Sequence, residues 1–487
     1  MANYFDFFNK TLKNKVFYYI FSRYATYFIQ FINSIFIALY LGPYFLGVWG
    51  FITLIIQYLN QSNFGISQSA NAIISIHKSD TKYVQEIVGG SLTMLFFLSV
   101  FIIIFYIVIL IFGFQIGEKY HFLQYAPFVV VIGIMGYFTT FMSNVFRVFG
   151  RIKEIAINQS AFPVLMLVMI LFFKGEGLLW ALVIANILAL VLSLLLYFIN
   201  TPVNLTPIFK RYLIKTIQAK GWHLFVYNTC FYLIVISTRS IVSGFYSVEE
   251  FGYFTFAFSL ATAIMLFLDS ISFLNYPKML NRFANLENDK SYIILSKLRS
   301  IYIVIAHMVV HAALLLFPIF ILLIPQYEKS ILAFELVALS TVLYSNSFGY
   351  SDLLIARGYE KKLSLLSFFA LLINIVTAYL LTAILSLSFS HVILATMLTY
   401  FIYVFILGYI GRKLLKLETN VMDVFNDIYP IRIILPYLFA LGLSLLSVPG
   451  YFYLSSLALF LVMNFKTIQI SKAFIKEVYN NPNLTDV

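Results

Sequence analysis

Fourteen long apolar runs take up most of this chain, and their length leaves very few folds open. They lie at 16–40, 44–64, 87–112, 122–146, 155–173, 178–199, 223–244, 251–274, 300–324, 330–356, 363–386, 391–410, 433–448 and 450–465. About 20 consecutive apolar residues carry a helix across ~30 Å of hydrocarbon. In lipid the backbone must satisfy its own hydrogen bonds, so a spanning segment is either a helix or a strand of a closed barrel. Barrel strands would be segments of about ten residues with alternating polarity; these runs are longer and continuous. Charged residues make up 11% of the 487, against roughly 25% in soluble chains, which is too few to coat a water-soluble surface. The expected fold class is an all-α polytopic membrane protein with about fourteen transmembrane helices.

The formal charge of +12 would ordinarily suggest nucleic acid or an acidic surface as partner. The position of the charges argues otherwise. If the first span leaves the cytoplasm, 27 of the 32 basic residues fall in segments on the inner side. Only Lys119, Lys174 and Lys329 are placed outside, and Arg23 and Arg239 lie within spans. This is the positive-inside pattern, sustained over every span. It predicts a membrane protein with both termini cytoplasmic, the lipid bilayer as partner and no nucleic acid. The run from Val16 to Tyr40 is too long for a signal-peptide core and reads as an uncleaved anchor. Cys230 has no second cysteine to pair with and reads as a small buried hydrophobe. No cofactor is implied.

An internal repeat organises the spans. Span 2 opens with Leu41-Gly42-Pro43-Tyr44-Phe45-Leu46-Gly47, and span 8 with Tyr246-Ser247-Val248-Glu249-Glu250-Phe251-Gly252; the last glycines are 205 apart. After spans 4 and 10 come Arg147-Val148-Phe149-Gly150-Arg151 and Ile355-Ala356-Arg357-Gly358-Tyr359, whose glycines are 208 apart. Spans 1–6 and 7–12 are therefore equivalent, with an even number of crossings and the same orientation, so a repeat axis along the membrane normal is expected. The expected domains are a six-helix bundle over 1–200, a cytoplasmic linker over 201–222, and a second six-helix bundle over 223–412. Residues 413–487 add a cytoplasmic loop, two further spans and a tail.

These residues resemble bacterial polysaccharide (O-antigen, Wzx-type) flippases. The resemblance rests on LGPYFLGVWG and NFGIS between Leu41 and Ser69, and on EEFGYF and NYPKML between Tyr246 and Leu280. The VFRVFGRIK and IARGYEKK loops carry it too, and together it covers roughly spans 1–12. It implies a MATE-like fold of the MOP superfamily, with two bundles around a cavity that opens alternately to either face. The implied substrate is an undecaprenyl-diphosphate-linked oligosaccharide repeat unit. A polymerase and a chain-length regulator of the same surface-polysaccharide pathway are the implied partners. Two departures matter: Asn63 precedes Phe64-Gly65, and Thr238-Arg239 stand in span 7, at places where relatives often carry acids. Any ion coupling assigned to those acids does not transfer.

An ionisable residue inside a span costs ~2.5–3.5 kcal/mol on insertion scales and is kept for interior or aqueous faces. Five stand out: Arg23, Arg239, Asp269, Glu335 and Asp352. At helical spacing, Arg23, Thr26, Tyr27, Gln30, Asn33 and Ser34 share a face of span 1, and Asn228, Tyr232 and Arg239 a face of span 7. Span 2 adds Gln57, Asn60 and Gln61; span 8 adds Thr255, Ser259, Thr262, Asp269 and Ser270; span 10 adds Glu335, Asn346 and Asp352. Guanidinium groups bind phosphate through paired, charge-assisted hydrogen bonds. Hence Arg23, Gln30, Asn33, Asn60, Asn228, Tyr232 and Arg239 are the expected cavity lining, with the two arginines for a diphosphate. The bland reading is that each arginine neutralises an acid or snorkels. Asp269, Glu335 and Asp352 are candidates for ion or proton coupling, against structural pairing. His307 and His311 have the spacing of a metal pair but lack a nearby third ligand, so packed histidines are expected and no metal site.

The dipeptide Gly-Lys never occurs, which removes the phosphate-binding loop of an ATP-driven pump. A glycan polymerase or ligase is the enzyme-class rival, and the short outer loops leave no room for its catalytic domain. A lipid II flippase or a drug/cation exporter of the same fold are the transporter rivals, the latter favouring cavity carboxylates. The chain is expected to be a transporter, not an enzyme. The topology has a direct check: a periplasm-dependent phosphatase fused after Gly117 should be active, and one fused after Lys82 silent.

Overall fold

The computed structural model describes residues 15–480, with side chains described except at 15–21, 220–221, 267–278 and 473–480. The described residues hold no strand, and each apolar run falls on a helix or a broken helix pair. In order they are α1 (Lys15–Gln61), α2 (Ile66–Ile76), α3 (Thr81–Ile111), α4 (Ala126–Val148), α5 (Ile152–Phe172) and α6 (Gly175–Ile199). Then follow α7 (Arg211–Phe245), α8 (Val248–Asn285), α9 (Asn288–Ile321), α10 (Ile331–Ser345) and α11 (Tyr350–Ala356). The series closes with α12 (Glu360–Tyr379), α13 (Leu394–Leu414), α14 (Val421–Ile428), α15 (Ile431–Leu445) and α16 (Tyr453–Asn480). Ten of these are long and apolar enough to cross a membrane, or twelve if each bent pair counts once. The kink that divides α1 into two spans, and α8, whose side chains are only partly described, account for the remaining two of the fourteen.

One expectation needs correcting: span 10 is not continuous, but bends by 40° between α10 and α11. The segment after span 2 holds a short helix, α2, which buries Ile66, Ala70, Ile73 and Ile74 along one face, and the loop before span 13 holds α14, set at 71° to α15. In each case a short helix of one to three turns carries too few residues for its periodicity to stand out.

Local chemistry explains the breaks. Gly42 sits at φ 71°, ψ 171°, a region open essentially to glycine alone, and Pro43 then supplies a φ suited to a first helical turn. Asp80 caps α3 by accepting from the Tyr83 amide at 3.0 Å. A full capping box opens α8: the Glu250 carboxylate accepts from the Ser247 amide at 2.9 Å, and the Ser247 hydroxyl accepts from the Glu250 amide at 3.2 Å. The two repeat-related loops end their helices in the same way. Arg151 N–H donates to Phe146 and Gly150 N–H to Arg147, while Tyr359 N–H donates to Leu354 and Gly358 N–H to Ile355. Both are Schellman closures with glycine at positive φ, 70° and 75°.

The chain divides into two compact units: Met1–Thr229 with Ser247–Gly252, and Cys230–Tyr246 with Tyr253–Val487. In the first, α1 packs on α5 and α6, and α6 on α4. The segment leading into α7, expected as a plain linker, is bound to α3. Ile208 N–H donates to Gly89 O at 3.1 Å, Thr93 Oγ1 to Ile208 O at 3.1 Å, and Lys210 Nζ to the Glu86 carboxylate at 2.7 Å. A Cβ at Gly89 would stand 2.5 Å from Thr206 O, so the approach depends on glycine. Further along the helix, beyond that segment, α3 exposes Phe96, Phe101, Ile104, Phe105 and Ile111, the face a helix turns to lipid.

The same unit holds a reciprocal contact between repeat-related segments. A Cβ on Gly47 would lie 2.0 Å from Val248 O, and a Cβ on Gly252 would lie 1.9 Å from Pro43 O. By the repeat offset of 205, Val248 is the counterpart of Pro43, so each glycine accommodates the backbone that precedes the other. Gly252→Val should force that contact apart at a cost of about 1–3 kcal/mol, seen as a fall of several degrees in the apparent melting temperature of the detergent-purified protein. Gly244→Ala, where a Cβ meets nothing within 4 Å, is the matched control and should leave it unchanged or slightly raised.

Candidate functional site

Span 1 of the first unit carries a polar stripe whose members have different neighbours. Arg23 is half-buried, donates from Nη2 to the Tyr27 hydroxyl one turn on, and lies 4.7 Å from the centre of that ring. Thr26, buried, shares a hydrogen bond with Ser160 of α5 at 2.7 Å. Asn33 is 2% exposed and donates from Nδ2 to Pro163 O at 2.7 Å, so its donor joins α1 to α5. That is a correction to its expected place in an open cavity lining. Gln30 is half-buried on the same helix, and Asn60 is exposed beside Gly136 of α4. Asn228, near the end of this unit, is exposed as well. A cavity of about 550 Å³ opens beside the stripe, lined by Ser22, Ala156, Ser160, Val164, Leu192 and Ser193 among others.

In the second unit, Arg239 is 3% exposed and its guanidinium carbon lies 4.9 Å from the centre of the Phe258 ring on α8. A cation held over an aromatic face is attracted by the ring quadrupole, and a planar guanidinium suits that position better than an ammonium. Tyr232, two turns earlier and partly exposed, lies within electrostatic reach of it. Directly before Arg239 the helix is pinned: Thr238 shares a hydrogen bond with Thr396 of α13 at 2.8 Å. Asn374 of α12 donates to Ile234 O at 2.7 Å, Ser237 Oγ at 2.9 Å and Thr238 Oγ1 at 3.0 Å. A buried asparagine thus joins the first and fifth spans of each repeat, Asn33 from the first in one and Asn374 from the fifth in the other.

The acids separate. Asp269 lies outside the described residues. Asp352 is half-buried in the first turn of α11. Glu335 is 4% exposed and lies beside Tyr453 and Ser444, which hydrogen-bond each other at 2.9 Å. The histidines of α9 have partners on two elements: His307 meets Asn346 Oδ1, at the break after α10, at 3.0 Å, and His311 meets Ser456 of α16 at 2.9 Å. No group of three metal-ligating side chains occurs among the described residues.

Sequence reasoning missed one cluster. Asp427 of α14 accepts from Arg299 of α9 and from the Tyr350 hydroxyl at 2.5 Å, with Arg412 Nη1 at 3.5 Å from its second oxygen. Arg299 and Arg412 had been counted only as loop charges that set topology. The available signal was a run of three acids, Glu418, Asp423 and Asp427, with no basic residue between Lys416 and Arg432.

Glu335→Gln keeps the size and polarity of the side chain beside Tyr453 and Ser444, and should retain the wild-type melting temperature and transport. Glu335→Ala removes a buried side chain and should lose about 0.5–3 kcal/mol, again read as an apparent melting temperature. A glutamine variant that folds normally but does not transport would return Glu335 to ion coupling.

No sequence-family model and no curated protein matches the chain. Solved structures do. An inward-facing multidrug resistance MATE family transporter of the MOP superfamily aligns with TM-score 0.65 over 82% of this chain and 98% of its own, at 15% identity. An outward-facing MATE transporter aligns with TM-score 0.57, 82% and 93% coverage and 15% identity. A MATE in complex with MaD5 gives TM-score 0.61, 83% and 96% coverage and 15% identity. The chain has the fold of MATE transporters of the MOP superfamily.

Proposed function

We propose that this protein is a flippase for undecaprenyl-diphosphate-linked oligosaccharide units, working by alternating access in the bacterial cytoplasmic membrane with both termini inside. The observation that carries the reading is Arg239: a permanent cation in the interior of an apolar span, 3% exposed and set on Phe258. Intramembrane charge of this kind marks a substrate or ion path by default. Its chemistry fits a diphosphate, because the planar fork of donors matches two phosphate oxygens. Arg23, at the inner part of span 1 and steadied by Tyr27, provides a second cation at a different depth. Gln30, Asn60 and Asn228 supply polar contacts, and Tyr27 and Tyr232 offer faces for sugar rings. The fold supports the mechanism, since its relatives have been solved in inward- and outward-facing forms. A polymerase and chain-length regulator would consume the product.

A second reading, drug export, has its own support in the multidrug resistance transporters that share the fold. It fits less well, because a cationic drug calls for accessible carboxylates, and Glu335 is 4% exposed beside Tyr453 and Ser444. Arg239→Ala should remove a charge-assisted contact worth about 1.5–3 kcal/mol, reducing surface-glycan export by about ten- to a hundredfold while membrane levels stay normal. Lipid-linked intermediates should accumulate inside, and Arg239→Lys should recover only part of the flux. Undiminished export by a correctly inserted Arg239→Ala protein, or a loss of drug tolerance in place of glycan, would move the assignment to the second reading.

A further inference from the structure

A second cationic site lies in the second unit, away from Arg239. A cavity of about 170 Å³ opens where α9, α14 and the start of α15 meet, lined by Ser296, Arg299, Ser300, Asn426, Asp427 and Arg432 among others. Its charges do not cancel. Asp427 is shared by Arg299 and Arg412. Arg432 has only hydroxyl partners, donating to Thr467 Oγ1 at 2.5 Å and Ser300 Oγ at 3.0 Å. Among the described residues no carboxylate stands within ion-pair distance of Arg432, and Asp427, the one acid of the lining, is already shared by two guanidinium groups. Arg299, 5% exposed, also keeps one nitrogen, Nη1, buried with no hydrogen-bond partner. A buried guanidinium nitrogen without an acceptor is costly, and a dianionic or monoanionic oxygen cluster would relieve it, and pair with Arg432, through charge-assisted hydrogen bonds.

The next cavity along identifies the kind of anion. It has about 180 Å³, is lined by Val304, Ile305, Met308, Ile468, Ser471 and Lys472, and shares Val304 with the first. Its wall is mostly hydrocarbon, running between α9 and α16. Along α9, Met308 is eight residues beyond Ser300, about 12 Å further from the basic segment at 1.5 Å per residue. Lys472 stands at the other end of the slot, and it belongs with Arg299, Arg412 and Arg432 to the side that holds the basic loops. A polar, cationic chamber followed by an apolar slot in the direction of the membrane interior has the pattern of an amphiphile with a phosphate at one end.

We propose that the Arg299–Arg432 cavity binds the phosphodiester headgroup of an anionic membrane lipid, whose acyl chain occupies the slot beyond Val304. The lipid completes the charge balance where α14 and α15 join α9, and so acts as a structural ligand of the C-terminal spans. Free phosphate shares the headgroup chemistry but makes no use of the slot.

The test uses the full-length protein in a non-ionic detergent, with thermal unfolding and native mass spectrometry as readouts. Phosphatidylglycerol should raise the apparent melting temperature by several degrees and stay bound in the gas phase. Phosphatidylcholine and inorganic phosphate should do neither. Arg432→Gln should reduce phosphatidylglycerol retention at least tenfold. Ser296→Asp, which supplies a carboxylate from within, should fold without the lipid and lose the response; it decides the matter should Arg432→Gln fail to fold. Equal responses to phosphatidylglycerol and phosphatidylcholine, an equal response to inorganic phosphate, or an unaltered lipid response in Ser296→Asp would each overturn the proposal.

Discussion

Everything in this protein follows from a backbone that has to satisfy its own hydrogen bonds where water is absent. Helices meet that demand for the main chain, but every polar side chain within them must then find a partner on another helix or face an aqueous space. The structure answers in the first way more often than the stripes of polar residues suggest. Asn33 reaches Pro163, Asn374 reaches Ile234, Ser237 and Thr238, and Thr238 meets Thr396. These are the bolts of the two units. Arg23 and Arg239 are held against aromatic rings as well, Tyr27 and Phe258.

The last two spans illustrate how an appended pair of helices becomes integral. Apolar packing alone gives little preference between a neighbouring helix and lipid, since lipid tails are as apolar as leucine. Polar contacts provide the discrimination. His311 to Ser456, Asn464 to the Arg432 carbonyl, and Arg432 to Thr467 and Ser300 fix α15 and α16 against α9, while Asp427 holds α14 against Arg299 and Tyr350. Each bond forms where the alternative is an unsatisfied group in hydrocarbon.

The helices were plain from their length and continuity, and the equivalence of spans 2 and 8 and of the Gly150 and Gly358 loops was visible as spacing. The loops proved to share a hydrogen-bond pattern as well as a glycine. Other features were hidden for physical reasons. The breaks at 346–349 and before α15 lie inside or beside apolar sequence that gives no signal of direction. The stripe on span 1 placed Asn33 on the polar side correctly, yet periodicity cannot tell a face turned to water from a face turned to another helix's carbonyl. Asp427 was obscured because charges near membrane surfaces are dominated by topology, and a pairing over 128 residues leaves no local trace.

The contact of Gly47 with Val248 and of Gly252 with Pro43 has the reciprocity of an isologous interface, in which a residue touches the counterpart of its own neighbour. In a symmetric dimer any substitution at such a point is imposed on both sides together. Within one chain the two copies are released from that constraint and can be altered separately. One side has kept a proline after its glycine break, and the other has acquired a serine–glutamate cap instead. The same close approach is thus entered by two different helix starts, which is how a duplicated half comes to differ from its twin without losing the joint between them.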